Sequence, residues 1–457
     1  MTSVSNVKVR KYIPICLVQF IVAFEFSIVN VAIPQIQNTF GINLDLSHWL
    51  LSSYAISFAS FLILGGRLTD RLGARRSLVS SLWAFIIFSA LAAISTNFFG
   101  LLTCRVFQGL CAAVAAPAAM RIITETTTGS VRAQLLSWWG ASASFGFAFG
   151  IVAGGILSFT VSWDGIFWAC SVIACLLVLS IDKSFSGQID GRSVDFRGAI
   201  FLFAGSSMSV ASISLLSNAS VKTSLILALS SVPIWWLFYK SEHFSKQPIF
   251  PAGFLKKKAI LLANGYSLLA VLSGGSMVYF VSEYAFRILG WSELTIGFSL
   301  IPDAIAAALG AKIAIISLSK YGTRMSLLLG FLSLMIGMFG LAYLPNKPLL
   351  TLIQLIASTS LVGFGLVLVA VITSIWAASE LSSNDHGVSA GLLNATQQWG
   401  LAIGLTALII VSQHPIISPW HLDDQSLRAF WYGGIIGCIA CLSLMPKFKS
   451  LSNETPI

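Results

Sequence analysis

Gly65-Gly66-Arg67-Leu68-Thr69-Asp70-Arg71-Leu72-Gly73-Ala74-Arg75-Arg76 sets four arginines and an aspartate between two long apolar runs. The run before it includes Trp49 to Leu64, and the run after it includes Leu78 to Ile94. Glycine and charge at that density read as a tight turn on one face of a bilayer. A weaker copy stands 249 positions later, in Ser319-Lys320-Tyr321-Gly322-Thr323-Arg324. There Asp70, Arg71, Gly73 and Arg75 align with Ser319, Lys320, Gly322 and Arg324. A turn that recurs inside a hydrophobic chain indicates an internal repeat.

Composition agrees with a membrane setting. The chain has 457 residues, is 56% hydrophobic and 10% charged, and has a mean hydropathy of +0.86. Soluble domains carry roughly 25% charged residues, and a single soluble core cannot absorb this much apolar surface. Fourteen apolar segments long enough to span lipid can be counted, near 12–34, 47–66, 77–95, 98–122, 134–158, 163–181, 198–216, 221–239, 259–282, 294–317, 325–344, 349–376, 388–412 and 428–446. The first follows Lys8, Arg10 and Lys11, exceeds a signal-peptide core in length and lacks a small-residue cleavage site, so no cleavable leader is expected.

The net charge of +10 does not point to nucleic acid, because the basic residues fall in alternate loops. With the N-terminus inside, 21 Lys and Arg lie in cytoplasmic loops and four, Lys222, Arg287, Lys347 and Arg428, lie outside. The positive-inside rule then orients the chain with both termini cytoplasmic. The repeat places the loop after segment 2 opposite the loop after segment 10. The expected organisation is therefore six helices, two inserted helices and six more. Residues 1–181 form an N-terminal six-helix bundle, 182–257 carry the inserted pair with its flanking loops, and 258–457 form a C-terminal six-helix bundle. Parallel repeats of this kind build the two halves of transporters.

Three charged residues fall inside spans and carry candidate chemistry. Glu25 stands about halfway along segment 1, where a charge costs roughly 2.5–3.5 kcal/mol on insertion scales. It reads as a proton carrier or a site for a cationic substrate, or else as a structural carboxyl paired with a neighbouring helix. Asp303 lies about 15 Å deep in segment 10, behind Pro302, and reads as a second cavity-facing acid or a polar group in a packed interface. Arg105, in Arg105-Val106-Phe107-Gln108-Gly109, needs an anion or several carbonyls; proton relay and a structural pair are both open.

Polar and small residues add weaker signals. Asn394, Gln397 and Gln398 share a face of segment 13 and can bind substrate or bond to a neighbouring helix. Gly146, Gly150 and Gly154 repeat every fourth residue beside Gly155, a pattern of close helix packing that also suits sliding. Gly66, Asp70, Arg71, Gly73 and Arg75 read as a solvated loop or as a gate latch, with Asp70 favoured near a helix N-terminus. All seven cysteines lie in apolar segments and act as small hydrophobes; the CxxC of Cys438 and Cys441 has no polar context. The five histidines are scattered, and neither HExxH nor GxxxxGK[ST] occurs, so no metal, no cofactor and no nucleotide-driven pump is expected.

These motifs together resemble a known family. Gly66 to Arg76 resembles the signature loop of the major facilitator superfamily, and Glu25 to Pro34 is similar to the first-helix motif of its fourteen-helix drug:proton antiporters. Arg105 to Gly109 resembles the fourth-helix RxxQG motif, Gly146 to Gly155 the fifth-helix antiporter motif, and Gly391 to Gly404 the thirteenth-helix pattern. Two positions depart from the family: Glu25 stands where Asp is usual, and Ile151 follows Gly150 where Pro is usual.

The resemblance implies an all-α integral membrane protein of the major facilitator fold with 14 transmembrane helices. It further implies a monomeric proton-coupled exporter of drug-like, lipophilic or cationic compounds, seated in the cell membrane and working by alternating access. Its partners are then a small-molecule substrate, protons and the lipid bilayer, with no nucleic acid. Export of one endogenous metabolite of siderophore or antibiotic type, proton-coupled import and an integral-membrane enzyme are the competing readings; the last lacks any clustered nucleophile or metal set.

Overall fold

A computed structural model describes residues 10–42, 44–185, 196–218, 221–245, 248–250, 253–345, 347–379, 381, 386–413, 422 and 424–444. Every regular element among them is helical. The long elements are α1 (Ile13–Phe40), α2 (Trp49–Leu72), α3 (Ala74–Ala93), α4 (Phe98–Thr126), α5 (Gly129–Thr160), α6 (Trp163–Ser180), α7 (Phe196–Ser214) and α8 (Val221–Phe244). They continue with α9 (Lys258–Gly274), α10 (Met277–Arg287), α11 (Glu293–Ser299), α12 (Ile301–Ala342), α13 (Pro348–Ala378), α14 (His386–Gln413) and α15 (Gln425–Leu444).

Local sequence sets several of these ends. Pro14 occupies the first turn of α1, where its missing N–H costs nothing. The same helix stops at Gly41, whose φ of 63° turns its N–H back to the carbonyl of Gln37. Asn97 caps α4 by accepting the N–H of Gly100 at 2.7 Å. Along α8, Leu225, Ile226, Leu229, Val232 and Trp236 are exposed, as a helix bathed in lipid requires.

Twelve stretches among the described residues are long and apolar enough to cross a membrane. One of them, Glu293–Ala342, runs 50 residues and is broken at Gly322, where φ is 72° and ψ 173°. Arg197–Ile213 is a shorter apolar helix.

The chain divides into two compact units, Met1–Ser212 with Leu225–Ile249, and Ile213–Ser224 with Phe250–Ile457. In the first unit α1 packs on α5, α2 on α4, and α3 on α4 and α6. Helices α7 and α8 touch through Trp235, whose indole N–H donates to Ser209 Oγ at 2.9 Å, while Phe203 of α7 sits edge-on to Phe61 of α2. In the second unit α9 packs on α13 and α14, and α12 on α13 and α15.

The duplicated cassette is mostly helix, which narrows the turn expected from its glycines and charges to a single residue. Helix α2 runs through Leu72 and α3 starts at Ala74, so Gly73 alone separates them. The apolar run ends at the lipid boundary, but charged residues do not break a helix that continues into water. Gly73 adopts φ 86° and ψ 141°, and its repeat partner Gly322 adopts φ 72° and ψ 173°. Backbone conformations of this kind are essentially reserved to glycine. The duplicated arginines repeat a role as well. Arg75 Nε donates to the carbonyl of Asp182, just past the end of α6, at 3.3 Å, and Arg324 donates to the carbonyl of Leu444, the last residue of α15.

Candidate functional site

The first unit buries an ion pair. Glu25 of α1 and Arg105 of α4 are both fully buried, and one terminal guanidinium nitrogen meets Glu25 Oε1. Arg105 Nε donates to the carbonyl of Leu50 at 2.9 Å, and the same terminal nitrogen donates to Gln108 Oε1 at 3.2 Å. Gln108 in turn donates its amide to Ser89 Oγ on α3 at 2.9 Å, which turns the amide oxygen toward the arginine. The guanidinium carbon lies 4.7 Å from the centre of the Tyr54 ring on α2. Glu25 Oε2 and the other terminal nitrogen of Arg105 have no hydrogen-bond partner among the described residues. Of the two alternatives read from sequence, an anion or several carbonyls, the arginine meets the first and adds one backbone carbonyl.

Glycines bring the helices of this site together. Gly109 lies one turn beyond Arg105 on α4, and a Cβ there would stand 2.6 Å from the Tyr54 carbonyl and 3.1 Å from the Phe58 nitrogen. On α5, Gly146, Gly150 and Gly154 rest on Phe20, Phe24 and Ile28 of α1, the successive turns that flank Glu25. A Cβ at Gly150 would stand 2.6 Å from the Phe24 carbonyl, and one at Gly154 equally close to that of Ile28. Gly155 is buried beside them, as is Ile151. These glycines therefore form the surface on which the helix that carries the acid packs.

In the cassette, Gly66, Asp70 and Arg71 belong to the last two turns of α2. Asp70 thus stands in a C-terminal helical turn and not in the first turn of a helix; its side chain lies outside the described residues. Arg71 is exposed in that last turn, where a cation complements the helix dipole. The Asp182 side chain accepts the Ser184 N–H at 2.8 Å, which holds this exposed carboxyl below its usual range. In the second copy, Ser319 is exposed and bonds back to Ile316 of its own helix at 2.9 Å.

The second unit holds the other candidates. Asp303 is buried in the first turn of α12, with its carboxylate against the backbone of Gly363 on α13. Gln397 donates to Ser267 Oγ on α9 at 3.0 Å, and its neighbour Thr396 donates to Asn264 Oδ1 at 2.9 Å. Gln398 Oε1 is buried without a hydrogen-bond partner among the described residues, and Asn394 is half-buried on the same helix. Among the described residues no cluster of metal-ligating side chains forms.

Sequence reasoning passed over three contributors to the ion pair and one further buried acid. Gln108 lay inside the quoted motif, three residues from Arg105 and so on the same helical face. Tyr54 and Ser89 gave no signal, since their part depends on which residues of α2 and α3 face α4. Glu283 sits one residue beyond the expected end of segment 9; it is buried and paired with half-exposed Arg287 one turn on.

Comparison with known proteins places this arrangement. Residues 15–405 match the model of the Major Facilitator Superfamily. Puromycin resistance protein pur8 of Streptomyces alboniger is 26% identical over 86% of this chain and 80% of its own. Cephamycin export protein CmcT of Amycolatopsis lactamdurans is 25% identical over 100% and 95%, and the methylenomycin A resistance protein of Bacillus subtilis 26% identical over 94% and 91%. A POT family transporter solved with 5-aminolevulinic acid matches with a TM-score of 0.72 over 96% of each chain, at 15% identity. The partially occluded inward-open xylose transporter XylE from E. coli matches with 0.66 over 98% and 99%, also at 15%. At that identity the likeness is one of fold.

Helices of this number and apolarity, with the family match, define a multi-pass membrane transporter of small molecules and not an enzyme. The chain belongs to the Major Facilitator Superfamily.

Proposed function

We propose that the protein is a proton-coupled secondary transporter that exports drug-like, lipophilic or cationic compounds by alternating access. The observation that carries this reading is the fully buried Glu25–Arg105 pair, in a chain whose relatives are named for puromycin resistance, cephamycin export and methylenomycin A resistance. A carboxyl opposite a guanidinium in a dry interior has two distinct states. Ionised, it is paired; protonated, it leaves the arginine without its anion, a change that matters by several kcal/mol. That is the property a coupling residue needs. In this scheme substrate binds with Glu25 ionised, and protonation from the outer side releases it. Each proton moving inward through 100 mV contributes about 2.3 kcal/mol.

Asp303 with Asn394, Gln397 and Gln398 is assigned to the substrate. Binding then exchanges contacts such as Gln397–Ser267 for contacts with the transported compound. Gly66, Asp70, Arg71, Gly73 and Arg75 are assigned to a cytoplasmic gate, and the glycines from Gly146 to Gly155 to the bearing on which α1 moves. Fourteen spans follow if Glu293–Ala342, about 75 Å as one straight helix, is counted as two at Gly322, and Arg197–Ile213 as a further one. The basic loops then set both termini in the cytoplasm, and residues 182–257 carry the inserted pair between two six-helix bundles of a monomer. Ile151, in place of the usual proline, favours import; the names of the relatives favour export.

A compound panel in a host stripped of its own efflux pumps tests this directly. Expression should raise resistance to some compounds, and each should release a preset proton gradient in everted vesicles. Resistance without proton movement would sink the coupling; accumulation of compound in the intact cells would reverse the direction.

A further inference from the structure

We infer that Tyr54 is a positioning residue, the face of whose ring holds the Arg105 guanidinium in place through the half-cycle in which Glu25 is protonated. The inference rests on the reading of Glu25 as the proton carrier. It starts from a question that reading leaves open, namely what keeps a buried cation in place when its carboxylate partner becomes neutral.

The groups around Arg105 can be named helix by helix. Glu25 faces it from α1, Tyr54 from α2 and the Ser89–Gln108 chain from α3 and α4. Cys170 of α6 lies close enough to interact with both Arg105 and Tyr54, and Cys111 of α4 with Tyr54. None of these but Glu25 is a carboxylate. Once Glu25 takes a proton, the guanidinium retains the Leu50 carbonyl, the Gln108 amide oxygen and the Tyr54 ring. The first two are neutral acceptors that occupy one donor each, while five N–H groups need partners. A guanidinium over an aromatic face is held by the ring quadrupole, most strongly where water is excluded.

Tyr54 is itself fixed for this task. It is fully buried, stacked on Phe58 with centroids 6.0 Å apart and planes at 8°, and flanked by Phe26 at 6.0 Å. Gly109 lets α4 approach the Tyr54 backbone, which sets Arg105, one turn earlier, over the ring. The Tyr54 hydroxyl has no hydrogen-bond partner among the described residues. The site therefore uses the face and not the oxygen.

Tyr54→Phe, Tyr54→Trp and Tyr54→Leu separate these parts. Phe and Trp should retain the pH profile of transport. The ring holds the cation most when Glu25 is protonated, so its loss in Tyr54→Leu penalises the protonated state more and should move the midpoint of the profile to acid pH by about one unit. Transport at the wild-type optimum should fall about tenfold. A shifted profile in Tyr54→Phe, or an unshifted one in Tyr54→Leu, would overturn the inference. If Tyr54→Leu does not fold, the Phe and Trp variants still decide it.

A second readout does not depend on Glu25 carrying protons. In purified protein, Tyr54→Leu should lower the thermal midpoint by about 1–2 °C more in a Glu25→Gln background than in the wild type, because there the ring is the main hold on the charge. Equal losses in the two backgrounds would remove the role from Tyr54 whatever Glu25 does. An extra loss in a Glu25→Gln protein that still couples protons would keep the hold and discard the carrier reading.

Discussion

Gly150 offers a test in which geometry sets the size of the effect. In Gly150→Ala the new Cβ stands 2.6 Å from the Phe24 carbonyl, and closer still to Ser27 Oγ. Ordinary contact begins near 3.4 Å, so α1 and α5 must part by about 0.8 Å. The hydroxyl can rotate away; the carbonyl cannot, because it belongs to the backbone of a buried helix. Overpacking of this kind costs about 1–3 kcal/mol, which lowers the thermal midpoint by roughly 1–3 °C. Glu25 follows Phe24 in the chain, so the same displacement moves the carboxyl relative to Arg105 and transport should fall with stability. Gly140 provides the control on the same helix, since a Cβ there has nothing within 4 Å. Thermal unfolding of purified protein and substrate efflux from cells measure the two effects. If Gly150→Ala and Gly140→Ala behave alike in both assays, α5 does not bear on α1 through these glycines.

Gly73→Ala and Gly322→Ala should each destabilise by about 1–3 kcal/mol, because both replace glycine at a positive φ. Gly66→Ala, whose nearest neighbour is 4.0 Å away, should be neutral by the same unfolding measurement. Arg105→Lys retains the charge but cannot reach Leu50, Gln108 and Glu25 together. Loss of one charged hydrogen bond should slow transport about tenfold or more, and wild-type efflux in that variant would show that the fork geometry is idle.

Much of the fold is readable without coordinates because lipid imposes a length on every apolar run. The expected segment 163–181 reappears as Trp163–Ser180, and 98–122 as the core of Phe98–Thr126. Where the reading fell short, at the cassette, hydropathy marks where lipid stops and is silent on where the helix stops. The alignment of Gly73 with Gly322 nevertheless identified two residues with the same unusual backbone. Glu25 and Arg105 were each legible as buried charges in need of partners, and they partner each other. The contacts of Asp303 with Gly363, of Gln397 with Ser267 and of Arg105 with Tyr54 were not legible. Each depends on the register between two helices far apart in sequence, which no periodicity within one helix contains.

Coupling through Glu25 is tested most directly by proton flux in everted vesicles holding Glu25→Gln, compared with the wild type on addition of a compound to which the transporter confers resistance. Substrate-driven proton movement and the pH dependence of transport should vanish while the protein remains folded in the membrane. Proton movement and pH dependence that persist unchanged would remove Glu25 from the coupling path and leave the Glu25–Arg105 pair as part of the scaffold.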